Sequence, residues 1–256
     1  MLITKDNLNI INEILPVKQV VSLVPSLTET IAYFGGSSKL AGVTRFCKYP
    51  ENIRHKTAVI GGPKDFNVEK ILSFSPDVVV AVKEENDKDR ILQLAEKLPV
   101  ILFDIVHWED ALEMIKISGT LVGNGKKAER KVSEIEKHFN SMTSPRHRSK
   151  CLYLIWKKPW MAAGKETFIN EMLQWAGFEN MAEGRYPETT EKDFSRAEVL
   201  LLSSEPFPFR EKEAEELKHR YPDKKVMLVD GEMFSWYGIR MLQAADYFRS
   251  LREENH

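Results

Sequence analysis

Short apolar runs alternate with amphipathic stretches through residues 1–107. The run from Gln19 to Val24 is rich in β-branched residues and stops at Pro25, and the later runs are KLAGVTRF, PDVVVAV and PVILFD. Such runs predict buried strands. The stretches between them, LTETIAYFG, VEKILSFS and DKDRILQLAEKL, have helical spacing, and Ser26 is the expected cap of the first helix. Apolar strands that alternate with helices predict a parallel sheet covered on both faces.

Residues 108–142 lose the strand signals and show helical spacing, interrupted at Gly123-Asn124-Gly125. This pattern predicts a long connecting helix, bent or broken at the glycines. A polar stretch from Ser141 to Lys150 then predicts a loop. The alternation resumes in residues 143–256, with apolar runs CLYLIW, AEVLLLSS and KVMLVD and helical stretches between and after them. The prediction is therefore an α/β fold of two lobes with central parallel sheets, joined by one long backbone helix.

The overall charge excludes one class of partner. Lys plus Arg number 37 against 38 Asp plus Glu, so no general positive field favours nucleic acid. The opening MLITKDNLNIINEIL lacks the apolar core of a secretory signal, and no 18-residue apolar run is present. We expect no membrane insertion by this chain; either a leader has been removed or the protein works inside the cell, and the sequence does not separate these.

Catalytic and metal-binding patterns are absent from the sequence. Cys47 and Cys151 lie far apart and read as two unpaired thiols, and the six histidines form no HExxH or Cys/His cluster. No GxSxG or complete phosphate-loop motif occurs. We therefore expect a protein that is not an enzyme, holds no metal through its own side chains and carries no cofactor.

Acidic residues follow a buried strand in each half of the chain. Glu84, Glu85 and Asp87 come after PDVVVAV, and Glu205 comes after AEVLLLSS. Each lobe is thus predicted to present a carboxylate at the carboxyl end of a strand.

Five segments carry a family resemblance: VVSLVPSLTETIAYFG, KYP, PDVVVA, AAGKETFINEML and VDGEMFSWYGIRMLQAADYF. They resemble the cobalamin and iron-siderophore class of ABC-importer binding proteins over nearly the whole chain. The resemblance implies two lobes joined by a rigid helix, with a ligand cleft between them, and a monomer in the periplasm or at the cell surface. The implied ligand is a corrinoid or another metal chelate, and the implied partner is the importer's permease dimer.

Site residues follow from the same resemblance. Glu84 or Glu85, with Asp87, and Glu205 match the acids that dock on permease arginines; direct alignment of the first docking acid reaches Lys88. A charge pair of this kind mainly orients docking. Two positions depart from the cobalamin-binding pattern, because Val82 and Trp236 stand where that branch has a tryptophan and an arginine.

Aromatic side chains cluster in the predicted loops, beside Gly or Pro. A corrin or porphyrin is a flat, mostly apolar plate with polar edges, which favours aromatic faces and a few donors. Arg45 is the candidate donor to a ligand edge, with Lys48 beside it. The candidate rings are Phe46, Tyr49, Phe66, Trp160, Tyr186, Phe234, Trp236 and Tyr237.

Two alternatives remain at this point. The first is an intracellular corrinoid- or haem-handling protein, or a siderophore or haem binder, of the same fold. The second is an enzyme on a two-lobed α/β scaffold, which would need cleft cysteines or an acid/base pair that the sequence does not offer.

Overall fold

A computed structural model describes residues 1–142 and 147–255. The chain forms two compact units, Met1–Glu134 (unit 1) and Ile135–His256 (unit 2). The sequence predicts residues 108–142 as a separate connecting segment, whereas the two units of the structure divide after Glu134. Part of the predicted loop from Ser141 to Lys150, residues 143–146, lies outside the described residues.

The described residues form eleven strands. They are β1 (Leu2–Ile3), β2 (Val20–Ser22), β3 (Leu40–Val43), β4 (Ala58–Val59), β5 (Val78–Val82), β6 (Val100–Phe103), β7 (Ser149–Trp156), β8 (Met161–Ala162), β9 (Phe178–Asn180), β10 (Val199–Ser203) and β11 (Lys225–Val229).

They also form twelve α-helices. These are α1 (Ile11–Ile14), α2 (Pro25–Ile31), α3 (Ile53–Lys56), α4 (Val68–Ser73), α5 (Lys88–Ala95), α6 (Trp108–Leu121), α7 (Gly125–Asn140), α8 (Phe168–Ala176), α9 (Glu191–Arg196), α10 (Glu211–Arg220), α11 (Gly231–Ser235) and α12 (Met241–Asn255). None of them combines the length and apolar character needed to cross a bilayer.

Unit 1 contains a six-stranded sheet in the order β1-β6-β5-β2-β3-β4. All of its strand pairs are parallel. Every residue of β2 and β5 is buried, as expected for central strands covered on both faces. The predicted parallel sheet is confirmed for this unit, and its loops after the carboxyl ends of the strands lie at one edge.

Unit 2 contains a sheet in the order β11-β10-β7-β8, and β9 also pairs with β7. The pairs of β10 with β7 and β11, and of β7 with β9, are parallel. β8 pairs antiparallel to β7, because only four residues separate the two strands and a parallel partner would need a long crossover. The second α/β half is therefore confirmed, with one antiparallel strand that the sequence did not predict.

Helices α6 and α7 carry the chain from one unit into the other, with the predicted interruption between them. Gly123 has a φ of +85°, a left-handed conformation that glycine adopts without a steric penalty. Asn124 fixes the break by donating from Nδ2 to the carbonyl oxygen of Phe34 at 2.7 Å. The interruption at the glycines is confirmed.

The start of α2 differs from the sequence prediction. Pro25 is the first helical residue and Val24, in an extended conformation, occupies the N-cap position. Ser26 is buried and its hydroxyl has no hydrogen-bond partner, so the prediction that it caps the helix is wrong. The physical reason is that proline suits the first helical position, where an N–H would have no intrahelical acceptor.

Candidate functional site: the carboxyl edges of the two sheets

In unit 1 the segment between β3 and α3 exposes two aromatic rings. Phe46 is 53% exposed and Tyr49 is 38% exposed. This segment has no regular structure, and its backbone is tied to the next loop because Arg45 N–H donates to the oxygen of Gly61 at 2.8 Å. Tyr49 is thus accessible, as its candidate role requires, and Phe46 is accessible beside it.

The Arg45 guanidinium contacts the Phe46 ring and forms an ion pair with Asp65. Its guanidinium carbon is 5.0 Å from the Phe46 ring centre, and Nη1 lies 2.9 Å from Oδ2 of Asp65. The Arg45 guanidinium holds the pKa of Asp65 below its ordinary value, because the hydrogen bond favours the charged carboxylate. Both side chains are about half exposed, so Arg45 is a cation held in place at the edge of the sheet.

The Phe66 ring has no exposed surface at this edge. Its side chain is fully buried in the core of unit 1, which also contains Leu23, Ile71 and Val79. This corrects the prediction for Phe66, because a ring without exposed surface cannot stack on a planar molecule. The loop position and the neighbouring glycines suggested exposure, but the ring fills the space beneath α4.

Asn86 is a buried residue of this edge that the sequence analysis missed. Its Nδ2 donates to the carbonyl oxygens of Leu23 (3.2 Å) and Pro63 (3.0 Å), and its Oδ1 accepts from the N–H of Val82 at 2.8 Å. Three loops at the carboxyl edge are therefore joined by one amide side chain. The only sequence signal was an asparagine directly after a buried strand, which resembles an ordinary turn residue.

The candidate docking acids of unit 1 lie in the turn after β5. Glu84, Glu85 and Asp87 are all partly exposed. Asp87 is the N-cap of α5 and accepts from the N–H of Arg90 at 3.0 Å. It also lines a surface groove of about 600 Å³ with Asp65 and Asp89. Asp87 thus has a structural role in helix capping and contributes to an acidic surface.

In unit 2 an aromatic cluster lies at the carboxyl ends of β7 and β10. Trp156, the last residue of β7, is 43% exposed and packs edge-on against Phe207 at 5.7 Å between ring centres. Phe207 packs on Phe209 at 4.7 Å, and Phe209 stacks on Trp160 at 5.6 Å with the planes 2° apart. Trp160 is partly buried in this cluster, and Trp156 provides its exposed indole.

Lys157 supplies a cation beside the same cluster. Its Nζ lies 5.5 Å from the Trp160 ring centre and 2.5 Å from a carboxylate oxygen of Glu216. The hydrogen bond that Lys157 donates to the Glu216 carboxylate raises the pKa of Lys157, because it stabilises the charged amine. The cation is therefore neutralised within the unit.

Tyr186 is exposed on the segment beside β8. Its ring is 36% exposed. The backbone on both sides is fixed, since the N–H of Gly164 donates to Arg185 (2.8 Å) and the N–H of Ala162 donates to Pro187 (3.1 Å). Tyr186 is accessible, as its candidate role requires.

The three rings of the FSWY segment are internal. Phe234 is fully buried among Tyr153, Tyr247 and Phe248, which corrects its prediction as a ligand residue for the same reason as Phe66. Tyr237 is also buried and packs edge-on against Phe168 at 5.7 Å. Trp236 is only 8% exposed.

Glu205 follows β10 and is partly exposed. Its Oε1 accepts hydrogen bonds from the hydroxyl of Ser235 at 2.7 Å and from Nε1 of Trp236 at 2.9 Å. The indole of Trp236, predicted to contact a ligand, is therefore directed to the candidate docking acid. This pairing joins residues from two loops and could not be read from sequence spacing.

Neither cysteine contributes an exposed thiol to these edges. Cys47 and Cys151 are buried and form no disulfide, and burial raises the pKa of both thiols, which disfavours reactive thiolates. Across the described ranges, no three His, Cys, Asp or Glu side chains lie close enough to hold a metal ion. The accessible features are rings, a guanidinium and carboxylates.

Comparison with known proteins identifies the family. Residues 20–199 match the model of the family described as periplasmic binding protein. The chain belongs to this family.

Curated relatives are similar over part of their length. The uncharacterized ABC transporter substrate-binding lipoprotein YvrC of Bacillus subtilis is 29% identical over 167 residues, which are 61% of this chain and 52% of that protein. The vitamin B12-binding protein of Yersinia pestis is 25% identical over 175 residues, which are 66% of this chain and 62% of that protein. The aligned part thus spans between about half and three fifths of these relatives.

Solved structures share the fold over almost the entire chain. The apo form of the periplasmic heme-binding protein RhuT of Roseiflexus sp. RS-1 has a TM-score of 0.77 at 18% identity, covering 93% of this chain and 99% of that one. The periplasmic vitamin B12-binding protein BtuF of Vibrio cholerae has a TM-score of 0.74 at 19% identity, covering 93% and 98%. At sequence identities of 18% and 19%, the structural similarity establishes the fold alone.

Proposed function

We propose that this chain is the solute-binding component of an ABC importer, which binds a planar metal chelate of the corrinoid class and delivers it to a membrane permease dimer. The observation that carries the proposal is that each unit has accessible rings, Phe46 and Tyr49 in unit 1 and Trp156 and Tyr186 in unit 2. Aromatic faces are what a flat, largely apolar macrocycle needs for stacking. The names of YvrC and of the Yersinia protein, which are those of binding proteins, support the same assignment.

Arg45 is proposed to contact the polar edge of the chelate. It lies beside Phe46 and is already ion-paired to Asp65. A guanidinium donates to amide, carboxylate or phosphate groups in a fixed planar geometry. A ligand edge would therefore share Arg45 with Asp65 without requiring a large rearrangement of the loop.

Docking on the permease is proposed for the acids that follow β5 and β10. Glu205 in unit 2 and the turn Glu84 to Asp87 in unit 1 offer carboxylates to cationic side chains of the permease. The acidic groove lined by Asp87 and Asp89 supports this surface in unit 1. Complementary charge would raise the association rate and fix the orientation of docking.

The proposed function also implies an oligomeric state and a cellular compartment. We place the protein in the periplasm or at the cell surface, as a monomer without a cofactor or catalytic activity of its own. The family match and the lipoprotein relative support this placement. Separation of cell fractions, with detection of the native chain, tests the compartment and the alternative of an intracellular binder.

Titration calorimetry tests the ligand class. We expect cyanocobalamin to bind with about 1:1 stoichiometry at micromolar affinity or tighter; cobinamide, haemin and a ferric siderophore are the competing ligands. Tyr49→Ala and Trp156→Ala should each weaken binding about 3- to 10-fold through loss of ring stacking. Leu92→Ala, which truncates an exposed apolar side chain on α5, is the matched control and should leave affinity unchanged.

Two results would count against the proposal. If none of the four ligands gives binding heat, the proposal that the protein binds a metal chelate is wrong. Preference for haemin would retain a planar chelate but replace the corrinoid by a porphyrin.

A further inference from the structure

The Glu205 carboxylate of unit 2 is held by hydrogen bonds from two neighbouring side chains. Ser235 and Trp236 both donate to Oε1, at 2.7 and 2.9 Å. The backbone of Glu205 is held as well, because the hydroxyl of Ser203 donates to its carbonyl oxygen at 2.6 Å. Main chain and side chain are therefore both oriented by neighbouring groups.

The indole of Trp236 is fixed from another direction by a buried ion pair. The guanidinium carbon of Arg240 lies 4.9 Å from the indole ring centre, and Nη1 of Arg240 lies 3.1 Å from Oε2 of Glu232. Both side chains of this pair are almost completely buried. A cation over the indole face favours one ring orientation, and in that orientation Nε1 points to Glu205.

Helix α11 is seated directly against the Glu205 loop. A Cβ atom at Gly231 would lie 2.7 Å from Cγ of Glu205 and 2.4 Å from the hydroxyl oxygen of Ser203. These separations are below real contact distances, so a larger residue at position 231 would displace the side chains of Ser203 and Glu205. The close approach of α11 to the segment after β10 thus depends on Gly231.

We propose that Trp236 is a positioning residue: its indole N–H, together with the Ser235 hydroxyl, pre-orients the Glu205 carboxylate for pairing with a cationic side chain of the permease. The inference rests on the proposed function. A carboxylate that is already oriented loses less side-chain entropy when it pairs. The role also gives a physical account of tryptophan at this position, where the cobalamin-binding branch of the resemblance has arginine.

The free protein offers a first test that needs no permease. The Nε1–H resonance of Trp236 is assigned in ¹H–¹⁵N spectra by its loss in Trp236→Phe. In Glu205→Ala, which removes the acceptor, this resonance should move and its exchange with solvent should quicken at constant pH. An unchanged position and exchange rate in that variant would contradict the hydrogen bond.

The second test measures capture by the permease dimer of the same organism, reconstituted in lipid nanodiscs, alongside calorimetry with cyanocobalamin. Trp236→Phe keeps the packing over Arg240 but removes the N–H, and Ser235→Ala removes the hydroxyl. Each should weaken capture about 3- to 10-fold, the value of one or two hydrogen bonds, with chelate affinity unchanged. In the Glu205→Gln background neither change should have a further effect.

Trp175→Phe, on α8, is the matched control, because it also deletes one indole N–H from unit 2 at a position with no proposed ligand or docking role, and it should leave capture unchanged. If Glu205→Gln abolishes capture while Trp236→Phe does not weaken it, the positioning role is overturned and the proposed function stands. If Trp236→Phe lowers cyanocobalamin affinity instead, Trp236 is a ligand residue and the inference is overturned. If Glu205→Gln is captured like the wild type, the docking role fails together with the inference, whereas chelate binding is judged separately by calorimetry.

Discussion

The rings at the carboxyl edge of unit 1 and those of unit 2 have different environments. Phe46 and Tyr49 project from a segment without regular structure and are exposed. In unit 2, Trp156 and Tyr186 are exposed to a similar degree, whereas Trp160 stacks on Phe209 and Phe234 is enclosed by other rings. An aromatic residue in a loop is thus available to a ligand only where no other ring occupies its faces.

The acids of the two units differ in a related way. Asp87 accepts from the backbone of α5 and stabilises the start of its own helix, a local role set by sequence spacing. Glu205 accepts from side chains that lie 30 and 31 residues away. A helix cap can thus be anticipated from neighbours in sequence, whereas the orientation of the Glu205 carboxylate depends on donors that are distant in the chain.

The largest expected effect is on the free energy of unfolding, when a buried ring is removed in place of an exposed one. Phe234→Ala removes a ring enclosed by Tyr153 and Phe248 and should lower the free energy of unfolding by about 3–5 kcal/mol. Phe46→Ala should change it by no more than about 0.5 kcal/mol. Urea unfolding followed by circular dichroism measures both. Equal losses in the two variants would mean that the edges of the units are packed alike.

A smaller loss of stability is expected when the buried amide of Asn86 in unit 1 is removed. Asn86→Ala leaves the N–H of Val82 and two carbonyl oxygens without their partner and should cost about 1–3 kcal/mol. Asn140→Ala, at the exposed end of α7, is the control and should have little effect. Hydrogen exchange should also quicken at Val82 in Asn86→Ala; full protection there would contradict the proposed connection of the three loops.

The smallest effect concerns the exposed pair of Arg45 and Asp65. The pKa of Asp65 is depressed by Arg45, so any stabilisation from the pair is present above the ordinary Asp pKa and is lost as pH falls through the depressed value. In Arg45→Gln the pKa of Asp65 should rise toward its ordinary value. NMR titration of the Asp65 carboxyl carbon measures this change, and identical titration curves in both proteins would exclude the ion pair in solution.

The regular elements were predictable where their hydrophobic pattern was long enough. PDVVVAV predicted the strand found as β5, and DKDRILQLAEKL predicted α5 with Asp87 at its start. The strands β1, β4, β8 and β9 were missed, because two or three residues are too short to show a period. The capping role given to Ser26 failed because the neighbouring Pro25 had already begun the helix.

The sequence by itself determined the alternation of strands and helices, the interruption at Gly123 and the loop that carries Phe46 and Tyr49, because these depend on periodicity and on local backbone preference. Only the tertiary structure decided which rings are accessible and which side chains donate hydrogen bonds to Glu205. Phe66 and Tyr49 are both aromatic residues in proline-containing segments between regular elements, yet Phe66 is buried and Tyr49 is exposed. Burial and hydrogen bonding of this kind arise from residues distant in the chain, which no local pattern specifies.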